Sequence, residues 1–171
     1  MKFSLQALIV AVSLGSAAAG AQTTPVPDNP AIDMPGFLRV SMQAAEARES
    51  RRISEADFIR MSREPGTFVL DARSRERFDE LHVKGAMNLS FPDIAVESLH
   101  AAIPDKASRI LIYCNNNFAG ATSAFPTKIP SASLNLSTYV ALYSYGYRNV
   151  YELAPLIDIK TSQLSFESSR R

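Results

Sequence analysis

Tryptophan is absent from the 171 residues, and cysteine occurs once, as Cys114. A lone cysteine closes no intramolecular disulfide, so a packed core rather than cross-links must hold the fold. With two histidines, His82 and His100, it supplies no recognised metal-ligand spacing, and neither a metal nor another cofactor is expected. An excess of either charge is missing as well: 18 Lys and Arg face 17 Asp and Glu. Such a balance leaves no electrostatic footprint for nucleic acid and no basic stripe for a membrane surface, so neither is expected as a partner. Arg48, Arg51 and Arg52 do cluster, but Glu46, Glu49, Glu55 and Asp57 surround them, which reads as solvated charged surface.

Leu5–Leu14 is an apolar run of about ten residues, well short of the ~20 that cross a bilayer. Lys2 precedes it and the small residues Ser16 to Ala21 follow, with Ala19 and Ala21 suited to the −3 and −1 positions of a cleavage site. Residues 1–21 therefore read as a secretory signal peptide, and a periplasmic or secreted protein is expected. Residues 22–36, rich in proline and polar side chains, read as an extended leader. Residues 37–171 are left as one domain, large enough for a core without staples, with that core over about 53–153. In an exported protein the odd thiol of Cys114 is buried and inert, joined to another molecule, or reactive.

Between Phe37 and Arg52 the pattern fits a helix or a strand followed by a helix. Ser54 can cap a helix through Met61, with Asp57 at the third following position, until Pro65-Gly66 turns the chain. Phe68-Val69-Leu70 reads as a short buried strand that ends in Asp71-Ala72-Arg73. A helix capped by Ser74 runs to Leu81, a strand fits Ala86–Ser90, and helical spacing covers Ile94–Ile103 before Pro104. Ile110–Tyr113 is continuous and β-branched enough to be buried on both faces. After a long polar stretch, Ser137–Tyr145 fits a helix stopped by Gly146, and Asn149–Leu153 fits the last strand. The alternation predicts an α/β domain around a mostly parallel sheet, with the tyrosines between Tyr139 and Tyr151 packed against it.

Cys114 falls directly after the most strand-like segment, at the edge of an open α/β sheet where ligands bind. Asn115, Asn116, Asn117, Phe118, Ala119 and Gly120 follow, a run unsuited to a helix interior. Such a loop can curl so that successive amides point at one centre, where they would hold an anion or a thiolate. A buried structural cysteine is the competing reading.

From about Ile53 to Leu153 the chain resembles a rhodanese-like sulfurtransferase domain. The resemblance is carried by Phe68–Arg73 as a strand ending in Asp-x-Arg, and by Arg77-Phe78 with His82–Leu89 as the segment after it. Ile110–Cys114 resembles the strand that delivers the active-site cysteine, and Tyr145–Leu153 the closing helix end and strand. The resemblance implies a three-layer α/β domain with a central, mostly parallel five-stranded sheet flanked by helices. It implies that Cys114 takes a sulfane sulfur from a small donor and carries it as a persulfide until a thiol or cyanide removes it. Asn115 to Gly120 would cradle that sulfur, while Asp71 and Arg73 form a buried clamp beside the loop and His82 and Gly85 shape a turn.

Where the family's loop ends in Arg, this one contains no cation, and residues 121–136 look like an insertion suited to a lid or binding loop. Lys128 either folds back to supply the missing charge or is simply exposed, the plainer expectation. Without an in-loop guanidinium, thiosulfate should bind less well and uncharged or thiol-borne donors comparatively better. Phosphatase chemistry, which some relatives of this fold perform with a Cys-containing loop, is not expected for the same reason. Two readings compete with sulfur transfer: a catalytically silent module that uses the Asn-rich loop and the 121–136 insertion to bind a partner protein or small ligand, and a thiol-redox module that joins an exported partner.

Overall fold

The apolar run expected to be buried on both faces lies at the centre of a five-stranded, wholly parallel sheet in a computed structural model that describes residues 29–170. In chain order the elements are α1 (Met34–Glu49), β1 (Arg52–Ile53), α2 (Glu55–Ser62), β2 (Thr67–Asp71), α3 (Arg75–Glu80), β3 (His82–Val83) and β4 (Met87–Asn88). They continue as α4 (Val96–Ala102), β5 (Arg109–Tyr113), β6 (Phe118–Ala119), α5 (Leu134–Ser144), β7 (Val150–Leu153), β8 (Ile157–Asp158) and β9 (Phe166–Glu167). The main sheet runs β1-β7-β5-β2-β4, and two small pairs, β3 with β9 and β6 with β8, lie beside it.

Alternation along β5 divides the core. Ile110 and Ile112 point to one face, where Leu70, Leu99, Ile103, Tyr139, Leu142 and Val150 meet them. Leu111 and Tyr113 point to the other, among Phe58, Met61, Val69, Phe118, Phe125 and Leu153. Helices on both faces of a parallel sheet bury it completely, so a continuous apolar strand is what its centre requires. Local signals set the boundaries: the Ser54 side chain accepts from the Asp57 amide, Ser74 does the same for Arg77, and Gly146 stops α5 at φ +95°.

Several expected boundaries move. The signal-peptide reading of residues 1–21 and the leader up to residue 28 lie outside the described residues. The end of the expected leader is helical, because Asp33 caps α1 by accepting from the Gly36 amide and Pro35 fits the first turn. Phe37–Arg52 thus resolves as helix then strand. The helix over Ile94–Ile103 starts two residues later, at Val96, after a 3₁₀ turn at Phe91–Asp93. The strand over Ala86–Ser90 contracts to Met87–Asn88.

Arg48 corrects the reading of its cluster as solvated surface. Its guanidinium leaves α1 to make a two-point ion pair with Glu152, a buried carboxylate on β7. That hydrogen-bonded partner raises the Arg48 pKa against the opposing effect of burial. Arg51 donates to Asn149 and lies over the Tyr151 ring, 4.6 Å from its centroid. Past Leu153, where no further element was expected, β8 and β9 bring Ile157, Leu164 and Phe166 onto the core.

Candidate functional site

β2 and β5 are neighbours in register, with Asp71 opposite Tyr113, so the segments that follow them emerge side by side at the sheet's C-terminal edge. The chain after β2 folds back on itself through charge. Arg73 donates to both Asp71 carboxylate oxygens, at 2.9 and 3.0 Å from Nε and 2.6 Å from Nη2. Its remaining donors reach the carbonyls of Ala124 and Leu81, both at 2.8 Å, and its guanidinium stacks 4.1 Å from the Phe125 ring centroid. Tyr113 donates to Asp71 at 2.7 Å and accepts from the Val83 amide at 3.1 Å. Burial first, then the Asp71 charge, drives the Tyr113 hydroxyl well above its ordinary pKa. The clamp thereby ties β2, α3, β3 and the segment around Ala124 into one unit.

Cys114 follows β5 and is 1% exposed. Its sulfur lies 3.4 Å from the hydroxyl of Ser133, the residue just ahead of α5. The N-terminal end of an eleven-residue helix thus lies beside the thiol. Instead of the expected curl of amides over Asn115–Gly120, one 3₁₀ turn, Asn115–Asn117, leads straight into extended β6. The reason is Asn117. Its carboxamide oxygen accepts from the Cys114 amide at 2.9 Å and from Asn135 at 3.0 Å, and its nitrogen donates to the carbonyls of Leu153 and Pro155. With its amide spent on backbone, it pins the turn to the end of β7.

The other residues of the run separate. Phe118 enters the aromatic cluster with Tyr113, Phe125 and Phe166. Ala119 pairs with Asp158 on β8, and Gly120 turns away at φ +86°. Asn116 reaches across to Lys128, donating to its carbonyl at 2.8 Å and accepting from its amide at 3.1 Å. Asn115 is buried and its carboxamide oxygen has no partner; the same holds for the side-chain oxygens of Asn135 and Thr138 on α5.

The 121–136 insertion is shorter and better anchored than expected. α5 begins at Leu134, and Ala124 and Phe125 are core residues. A cavity of about 400 Å³ is lined by Asn115, Lys128, Arg73, Arg77, Phe91 and Leu134, among others. Ser133, Asn135, Asn116 and Asn117 line a second, of about 210 Å³, with the Arg48–Glu152 pair. Lys128 is exposed, as the plainer reading expected, yet it borders the first cavity, and no carboxylate pairs with it among the described residues. Arg77 was not expected near the site; Ser133 and Asn135 fall in the 121–136 segment expected as a lid or binding loop, without a role of their own. His82 is buried, stacked on Phe78 with its Nδ1 2.7 Å from the Phe78 carbonyl, and Gly85 turns at φ +80°.

The rhodanese-like domain family model matches residues 54–154. A search of curated proteins finds none that matches. Among solved structures, a thiosulfate sulfurtransferase from Pseudomonas aeruginosa aligns at TM-score 0.52 and 14% identity, over 80% of this chain and 23% of that one. A rhodanese-like domain from Anabaena sp. aligns at 0.48 and 21% identity, over 69% of this chain and 79% of that one. A rhodanese with anions from E. coli aligns at 0.40 and 23% identity, over 60% and 98% respectively. At 14% identity the likeness to the sulfurtransferase from Pseudomonas aeruginosa is one of fold.

Proposed function

The chain belongs to the rhodanese-like domain family, and on that premise we propose that it is an exported sulfurtransferase that carries a sulfane sulfur as a persulfide on Cys114. The observation that carries this reading is the sulfur of Cys114 at the exit of the central strand, 3.4 Å from the hydroxyl at the start of α5. The thiolate attacks the outer sulfur of a donor; the donor's sulfur–sulfur bond breaks, and its remainder departs with the electron pair. A thiolate or cyanide then attacks the outer sulfur of the persulfide, leaving as a new persulfide or thiocyanate and restoring the Cys114 thiolate. The Ser133 hydroxyl lies beside the sulfur through both steps.

Donor choice follows from the cations. Arg73 is consumed by Asp71 and Arg77 by Glu80, which leaves Lys128 at the rim of the larger cavity. Thiosulfate, without a bidentate partner in the loop, reacts more slowly than thiol-borne or uncharged donors. The buried sulfur is reached when the segment fastened to Asn116 gives way.

Thiocyanate formation from cyanide and a panel of donors tests the reading. Turnover in the wild type that disappears in a folded Cys114→Ala protein is the expected result. No turnover with any donor, or equal turnover in both proteins, overturns it. The burial of Cys114 favours one second reading, a silent binding module whose thiol never reacts. Intact-mass measurement after incubation with each donor separates the two, since only the sulfurtransferase gains the mass of one sulfur.

A further inference from the structure

α1 is attached to the protein by its small residues. Gly36 and Ala44 are buried, Val40 and Ala47 half-buried, and Ala44 joins the core beside Tyr139 and Leu142. The large apolar side chains of the same helix face outward: Met34 is 61% exposed, Phe37 56%, Leu38 55% and Met42 75%. A spacing of four stacks Met34, Leu38 and Met42 into one ridge. Arg39 is the one charged residue from Met34 to Met42. Next to the ridge, Phe37 forms the near wall of an apolar groove of about 570 Å³, completed by Phe91, Leu136, Val140, Ala141 and Tyr145.

Ridge and groove share one face, and that decides between occupants. A lipid bilayer would cover the ridge but leave the groove unfilled, and one arginine is too little positive charge to hold an anionic surface. An isologous contact needs a surface that complements itself, and a ridge beside a groove does. The four exposed side chains present on the order of 500 Å², at the upper end of what monomers leave open. With the groove walls the area reaches ~600 Å² per partner, the lower end of specific interfaces.

We propose that this face forms a two-fold homodimer, in which the Met34–Leu38–Met42 ridge of each copy lies in the α1–α5 groove of the other. Ser131, on the groove wall, belongs to the segment that Asn116 fastens down, so the second copy abuts the cover of the Cys114 site. The inference stands apart from the chemistry assigned to that site, since it depends on no reaction.

Sedimentation of the purified protein from about 1 to 100 µM tests it by mass action. A dimer is expected, and Leu38→Glu or Met42→Glu should each weaken it by ~100-fold or more, because a charge enters the centre of an apolar contact. Leu156→Glu, at an exposed leucine outside α1 and the groove, should leave the dimer intact. Hydrogen exchange gives a reading without variants: α1 amides should exchange more slowly at the high concentration than at the low. A monomer at every concentration overturns the proposal, as does a dimer that both α1 variants leave unchanged. A monomer that floats with phosphatidylcholine–phosphatidylglycerol vesicles also overturns it and assigns the face to lipid.

Discussion

At the C-terminal edge of the sheet, β2 ends in an ion pair with none of its side-chain polar atoms left unpartnered, whereas β5, its neighbour in register, ends in a thiol followed by Asn115, whose buried carboxamide oxygen has no partner. A buried charge pair tolerates no freedom, because losing either partner strands the other in a medium that cannot solvate it. Unpaired neutral oxygens cost less, and they leave capacity for whatever enters. The two ends thus differ in kind: the Asp71–Arg73 side fixes the position of the edge, and the Cys114 side keeps polar capacity unspent.

Breaking the rigid end should have the largest effect. Arg73→Met leaves the Asp71 carboxylate buried beside apolar groups, and a loss of about 3–5 kcal/mol in urea unfolding is expected. A loss below ~1 kcal/mol would mean that water reaches Asp71 and that the contrast is overstated.

Asn117 belongs in sequence to the open end but is built like the closed one, so its substitution sharpens the division. Asn117→Leu removes the partners of the Cys114 amide and the Leu153 carbonyl, at an expected cost of about 2–3 kcal/mol. It should also speed alkylation of Cys114, because the turn loses its tie to β7. Unchanged alkylation in a destabilised protein would show that Asn117 holds the fold without gating the thiol.

The smallest effect concerns pH. Unfolded, Tyr113 ionises near ~10. Folded, burial and the neighbouring Asp71 keep it protonated well above that. Its contribution is therefore fully present below ~10 and is lost as pH rises beyond, by up to ~1.4 kcal/mol per unit, because the unfolded chain then binds fewer protons than the native one. Tyr139 and Tyr147, raised by burial, act in the same direction. Tyr113→Phe should cost about 1 kcal/mol at neutral pH and flatten, without abolishing, the alkaline decline. An unaltered slope would show that Tyr113 is not held protonated by the clamp.

Much of this edge was legible in the chain. Ile110–Tyr113 announced the central strand by its unbroken apolar run, and the family resemblance implied the buried pair of Asp71 and Arg73. Ser54 and Ser74 marked helix starts through their own side chains. β8 and β9 were not legible, since two-residue strands are too short for a period to show. Arg48 was misread because its partner Glu152 is 104 residues away and nothing nearby in sequence implies the pair.

Local periodicity and composition were enough for the alternation of strands and helices, the depth of β5 and the place of Cys114 at its exit. What surrounds that sulfur depends on contacts that exist only once the chain has folded. The turn after Cys114 has two routes open to it, a curl of amides or a sharp bend into a strand. The choice fell to Asn117, whose bonds run to Asn135 on α5 and to Leu153 and Pro155 at the end of β7, residues far off in the chain and adjacent only once the sheet has formed. A buried amide must be satisfied wherever its partners lie, and that requirement, not the propensity of an asparagine run, shaped the site.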